Sequence, residues 1–245
     1  MTDNGKVERG QISKGQNACF PVEILEIPQW CALTDQEREE LYECSICRTY
    51  HPGEMIFHQG DECCGVYLVK EGLVGVRMES PEGDTVTLHL ARPGDALGYR
   101  PFLAGESHKA GAEVLKETMV CFFAGSQMKK ILLKNPCFGF EFLRRGARDL
   151  GEAEQKFQQT ITQNVRIRLI HLLLVLEKHY GQQLSDGTVE LDLPISRRDM
   201  ASMIGIRVES LSRTIRHLTC DGLVRFSGHR AWINDIKRMV EEITP

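Results

Sequence analysis

Between about Arg48 and Phe123 the apolar residues come in short runs, among them "VYLV", "LVGVRM" and "VTLHL". Turn signals interrupt them roughly every ten residues, as "HPGE", "QGDE", "KEG", "SPEGD", "RPGD" and "LAGES". Short apolar runs with this punctuation predict an antiparallel all-β domain, a sandwich or jelly roll.

After Phe123 the texture changes to helix periodicity. A short helix, "SQMKKILLKN", is stopped at Pro136, and a long helix runs from about Phe138 to Thr162. Along it Gly139, Leu143, Gly146, Leu150, Ala153, Phe157 and Thr160 recur at alternating steps of four and three, a heptad seam. Such a seam either lies on its own domain or pairs with a second copy, and the small Gly146 and Ala153 suit close approach of two helices. Another helix, "NVRIRLIHLLLVLEKHYG", closes at Gly181, which suits a C′ cap. The polar turn "SDGT" then separates it from a strand-like "VELDL".

Ser196 and Asp199 have the spacing of a capping box and predict a helix that ends at Gly205. Beyond a short turn, Val208, Leu211, Ile215 and Leu218 form the apolar stripe of a second helix. Its opposite face carries Glu209, Ser212, Arg213 and Arg216. Arg213 offers a bidentate pair to guanine, Glu209 accepts from the cytosine amino group, and Ser212 is short enough for close approach. The pattern fits a helix-turn-helix, against the plainer alternative of a helix pair with a solvated charged face. Two β runs about Ser227-Gly228-His229 predict a wing. Arg225, His229 and Arg230 there, with Arg197 and Arg198 beside the first helix, are candidate phosphate contacts.

Charge bears on this reading, because the 245-residue chain has a net charge of −4. The acidity lies mostly in the N-terminal part: residues 165–245 hold twelve Lys and Arg against ten Asp and Glu. A local field, not the total, guides a polyanion. The N-terminus has no apolar h-region, and "LIHLLLVLEKHY" is too short and too interrupted to span a bilayer, so no membrane association and a cytoplasmic location are expected. Nine cysteines at irregular spacing match a secreted disulfide framework poorly. A thioredoxin-like enzyme is disfavoured for want of a βαβ context, and no enzymatic activity is expected.

Across nearly the whole chain, "GDALGYRPFLAGESHKAGAEVL", the long helix and "LPISRRDMASMIGIRVESLSRTIRHLTCDGLVR" resemble the CRP/FNR superfamily of bacterial transcription regulators. The resemblance implies an α+β fold: an N-terminal tail (1–23), an antiparallel β-roll sensor of the cyclic-nucleotide-binding type (24–124), a helical linker and dimerisation helix (125–163), and a winged helix-turn-helix (164–245). It also implies a homodimer on double-stranded DNA that contacts RNA polymerase. In the FNR branch a Glu-x-x-Ser-Arg pattern reads TTGAT-type half-sites in an inverted repeat, and Glu209-Ser210-Leu211-Ser212-Arg213 matches it. Arg207 stands where the family commonly has an N-capping serine, losing a cap but offering a phosphate contact. The alternative is a cyclic-nucleotide-binding-like module that acts through protein partners.

The residues leave the signal open. In cyclic-AMP-binding relatives a glutamate follows the glycine of the cassette and an Arg-Ser pair holds the phosphate; here Tyr99 follows Gly98 and His108-Lys109 stands in the Arg-Ser place. Cyclic AMP is therefore not expected, although Gly98, Tyr99, Arg100, His108 and Lys109 remain candidate effector contacts. Cys19, Cys31, Cys44, Cys47 and Cys121 are candidate metal or redox groups. Cys121 looks like the internal ligand of FNR-type iron-sulfur sensors, but the others lack the compact spacing those sensors have. A reversible disulfide within Cys44-Ser-Ile-Cys47 or Cys63-Cys64 is a further candidate, as is haem on His51, His58 or His89.

Overall fold

The structure, a computed structural model, describes residues 27–244. Helices α1 (Pro28–Cys31) and α2 (Asp35–Glu43) come first, and Thr34 and Glu37 cap α2 reciprocally. Strands β1 (Ile46–Tyr50), β2 (Met55–Phe57), β3 (Gly65–Glu79), β4 (Thr85–Ala91), β5 (Ala96–Leu97) and β6 (Gly111–Ala124) follow, with α3 (Tyr99–Ala104) before β6. They form one antiparallel sheet in the order β1-β6-β3-β4, with β2 added to β6 and β5 to β3. The long β3–β6 ladder shifts register at several points. Bulges of this kind bend strands, which lets so few of them curve into a roll. Gly72 marks one bend: its φ is +93°, and a Cβ would fall 2.2 Å from the Glu117 carbonyl oxygen.

One face of the sheet buries Phe57, Val69, Val74, Val76, Val114 and Val120 inside the roll. The other packs Val66, Leu68 and Phe123 beneath helices that bring Trp30, Leu41, Met128, Phe138 and Phe142. Asn135 joins α4 (Gly125–Lys134) to α5 (Pro136–Thr162). Its side chain accepts from the Phe138 amide at 3.0 Å and donates to the Ala32 carbonyl and Glu37. Pro136 opens α5 at its first turn, where a missing N–H costs nothing. Phe140, Leu143, Leu150, Phe157 and Ile161 are each more than half exposed along α5. The heptad positions Leu143, Leu150 and Phe157 are therefore on an uncovered stripe, whereas Gly139 lies against Leu132 of α4.

The C-terminal unit comprises α6 (Val165–Tyr180), β7 (Gly181–Gln183), β8 (Val189–Asp192), α7 (Arg197–Met203), α8 (Val208–Cys220), β9 (Val224–Ser227), β10 (Arg230–Ile233) and α9 (Ile236–Ile243). Its four strands are ordered β7-β8-β10-β9 and share a core with Leu169, Leu173, Met200, Leu211 and Leu218. Gly181 does not serve as a left-handed cap, since its φ is −85°. The glycine is required by space instead: a Cβ would lie 2.5 Å from the Glu177 carbonyl oxygen. The fold is α+β, and α7 rests against β4 of the roll through hydrogen bonds to Thr87.

Candidate nucleic-acid interface and sensor cavity

Helix α7 starts where Ser196 accepts from the Asp199 amide at 3.1 Å and Asp199 accepts from the Ser196 amide at 3.0 Å, the expected capping box. Gly205 takes φ +68° in the turn, and α8 follows at an angle that buries Leu211 and Leu218 completely. Ile215 is half-buried in the same core. Val208 departs from the expected stripe: it is 37% exposed, because the first turn of α8 projects beyond the core. It belongs with the outward face, where Glu209, Ser212, Arg213 and Arg216 are all exposed. Glu209 in the first turn also suits the positive end of the helix dipole.

Arg207 is the N-cap and makes no side-chain cap, which leaves its exposed guanidinium for other contacts. Arg198 is exposed as well. Arg197 is half-buried, with its guanidinium carbon 4.1 Å from the centroid of the Phe226 ring, so α7 and the wing are joined by a cation–π contact. Burial lowers its pKa from the usual arginine value. The predicted wing is β9–β10, paired from Val224↔Ile233 to Ser227↔Arg230. Arg230 reaches Glu190 at 3.2 Å, and Arg225 lies over Trp232.

In the roll, a cavity of about 280 Å³ lies between β3–β4, the β5–α3 loop and α5. Gly98, Tyr99, Arg100, His108 and Lys109 all line it. Gly98 has φ +75°, and a Cβ there would stand 3.0 Å from His108. His108 is buried and stacked on Phe57 at 3.8 Å between ring centroids, and burial lowers its pKa. Tyr99 is already engaged: its hydroxyl donates to Asp149 of α5 at 2.5 Å. Arg145, also on α5, reaches Asp95 at 3.0 Å and Asp149 at 2.9 Å. These two α5 residues were missed in the sequence, where an Arg and an Asp four apart on one helix face were the available signal. Lys109 faces Glu106, and Arg100 stays exposed at the rim. His89 lines the same cavity, while His51 and His58 are on the exterior.

The cysteines pair differently from expectation. Cys47 of β1 and Cys121 of β6 are direct register partners and are joined by a disulfide. Cys44, Cys63 and Cys64 are free thiols, so neither Cys44–Cys47 nor Cys63–Cys64 is bonded. Strand register decides this, because it sets Cys47 opposite Cys121 across the sheet. Cys31 and Cys44 are exposed, Cys19 lies outside the described residues, and no metal-binding group of three or more His, Cys, Asp or Glu occurs among the described residues.

A winged helix-turn-helix joined by a long helix to a β-roll with an internal cavity is the build of a transcription regulator. Residues 47–135 match the cyclic nucleotide-binding domain, and residues 167–242 match the Crp-like helix-turn-helix domain. The chain belongs to the CRP/FNR superfamily of transcription regulators. It is 24% identical over 217 residues to the transcriptional activator protein FnrL of Cereibacter sphaeroides, covering 86% of each chain. It is 29% identical over 175 residues to the nitrogen fixation regulation protein FixK of Rhizobium meliloti, covering 71% of this chain and 75% of that one. The structure of FixK2 from Bradyrhizobium japonicum superposes with a TM-score of 0.71 at 23% identity, over 80% of this chain and 96% of that one. The c-di-GMP responsive regulator CLP of Xanthomonas campestris reaches 0.74 at 17% identity, over 82% and 100% of the respective chains. Among the described residues, no helix is long and apolar enough to cross a membrane.

Proposed function

We propose that the protein is a cytoplasmic homodimer that binds a palindromic TTGAT-type site and regulates transcription in response to a redox signal received by the β-roll. The observation that carries DNA reading is the division of α8: Leu211 and Leu218 are wholly buried, while Glu209, Ser212, Arg213 and Arg216 stand together on its open face. Such a face offers both donors and an acceptor to base edges. The exposed apolar stripe of α5 supports pairing with a second copy, which would set two recognition helices one turn of DNA apart. RNA polymerase is the expected partner of the DNA-bound dimer.

The redox reading rests on Cys47–Cys121, which ties the strand that follows α2 to the strand that leads into α4 and α5. Two electrons and two protons from a dithiol convert the bond to two thiols, and the reductant closes to its own disulfide. Relatives named as anaerobic regulatory proteins support a signal of this kind. Because Arg145 already has two carboxylate partners, it does not supply the unmatched guanidinium that a cyclic phosphate needs. An iron-sulfur cluster on the same sulfurs would require both thiolates, so cluster and disulfide are mutually exclusive states of Cys47 and Cys121.

The test is a binding titration of the full-length protein against the palindrome and a scrambled duplex, at several salt concentrations, with and without dithiothreitol. Sequence-dependent, salt-sensitive binding that changes on reduction is expected. Arg213→Ala should cost about 1–3 kcal/mol at the palindrome and relax base preference. Equal losses on the scrambled duplex would remove its assigned role, and absence of specific binding would favour a module that acts through protein partners.

A further inference from the structure

The cap of the first reading helix is also its tether to the sensor. Asp199, at the third position of α7, uses one carboxylate oxygen for the Ser196 amide and hydroxyl, at 3.0 and 2.6 Å. Its other oxygen accepts from Arg77 of β3 at 2.7 Å and from the Thr87 hydroxyl of β4 at 3.1 Å. The Thr87 amide donates to the Ser202 hydroxyl at 3.0 Å, one turn along α7. Arg77 also holds Glu113 of β6. The guanidinium thus stands between two carboxylates, one from each domain, at a largely water-excluded contact where side chains of Leu90 and Leu115 meet the C-terminal core. Burial opposes ionisation of Asp199, but the Ser196 hydrogen bonds and the Arg77 charge outweigh it and hold the carboxyl below its usual range.

We propose that Arg77 is a positioning residue for DNA reading: by clamping Asp199 against β4 it fixes the angle at which the sensor presents the recognition helix, and hence the half-site separation the dimer accepts. This rests on the dimeric, palindrome-reading function proposed above. The two helices move as one body, because Met200, Ala201, Ile204, Leu211 and Leu218 share one buried cluster. The thirteen residues of α8 span about 20 Å, so a ~10° rotation at α7 displaces its far end by roughly 3 Å, close to one base step. Without the guanidinium, Asp199 and Glu113 are left as two unneutralised carboxylates across the contact, which drives the domains apart.

The experiment compares the full-length wild type with Arg77→Met, Arg77→Lys and Thr87→Val. Affinity is measured for the palindrome, for the same palindrome with one base pair inserted between half-sites, and for a single half-site. The wild type should prefer the correct spacing by about ten-fold. Arg77→Met should reduce that preference to within about three-fold while half-site affinity stays unchanged, and Arg77→Lys should recover part of it. A ten-fold preference retained in Arg77→Met overturns the proposal, as does a loss confined to half-site affinity. Hydrogen exchange supplies a readout independent of DNA: residues 85–91 and 197–203 should exchange faster in Arg77→Met and Thr87→Val, with residues 169–176 unchanged. Unchanged protection of residues 85–91 also overturns the clamp, whether or not the wild type binds the palindrome, whereas a wild type with no specific DNA binding defeats the functional reading instead.

Discussion

Val208 and Leu211 lie three residues apart on α8, yet Leu211 is fully buried and Val208 is 37% exposed. Three residues are nearly one helical turn, so both point to one side; the core ends between them. Leu211→Ala should therefore cost about 2–5 kcal/mol in urea denaturation, as for any large-to-small change in a closed core. Val208→Ala should cost less than about 0.5 kcal/mol and should weaken DNA binding instead. Similar stability losses for both would show that α8 is packed more deeply than its exposure indicates.

The Cys47–Cys121 bond closes a sequence separation of 74 residues. Its reduction should lower stability by about 2–4 kcal/mol, chiefly by freeing the unfolded chain. The midpoint of urea denaturation should fall with dithiothreitol in the wild type and should not respond to it in Cys121→Ala. A reductant effect that persists in that variant would assign the sensitivity to other thiols.

A carboxylate placed on the open stripe of α5 tests what covers it. Leu150→Asp and Phe157→Asp should shift the sedimenting species from dimer to monomer, since each would bury an unpaired charge in a helix seam. Neither should change the thermal stability of an isolated chain appreciably, because both side chains are exposed in it.

Acid should weaken both units below about pH 6.5, because burial lowers the pKa of His171 and His179 on α6 as well as of histidines in the roll. Burial lowers the pKa of both His89 and His108, so the unfolded chain takes up their protons first and stability falls as pH drops below about 6.5. Glu242 is held below its usual range chiefly by its hydrogen bonds from Arg166. Its contribution is present above pH 4.5 and is lost as pH falls through its lowered folded value. Melting curves at pH 7.5 and 5.5 should differ, with His89, His108, His171 and His179 each contributing, and His108→Gln should shrink the difference by its share. A gap of the same size in that variant would remove His108 from the account.

What the sequence made legible was what near neighbours decide. The capping box at Ser196 and Asp199, the turn at Gly205 and the wing about Gly228 depend on contacts within a few residues, and each leaves a residue-type signal. Val208 was misplaced because periodicity assigns a face without saying where the core stops. The Cys47–Cys121 pair was hidden for a different reason: it depends on the register of two strands distant in sequence, which spacing does not encode. The engagement of Tyr99 by Asp149 and of Asp199 by Arg77 was equally out of reach, since polar partners far apart along the chain are chosen by packing of whole elements.

The ties from Tyr99 to Asp149 and from Asp95 to Arg145 place the cavity wall and the long helix under one set of constraints. A molecule that enters the cavity and displaces either tie does work on the helix, and a second copy that grips the helix does work on the cavity. The two equilibria share a coupling free energy that is the same in both directions. If the proposed dimer forms, apparent affinity for such a molecule would depend on protein concentration, and the dimer's dissociation constant would report what the cavity holds.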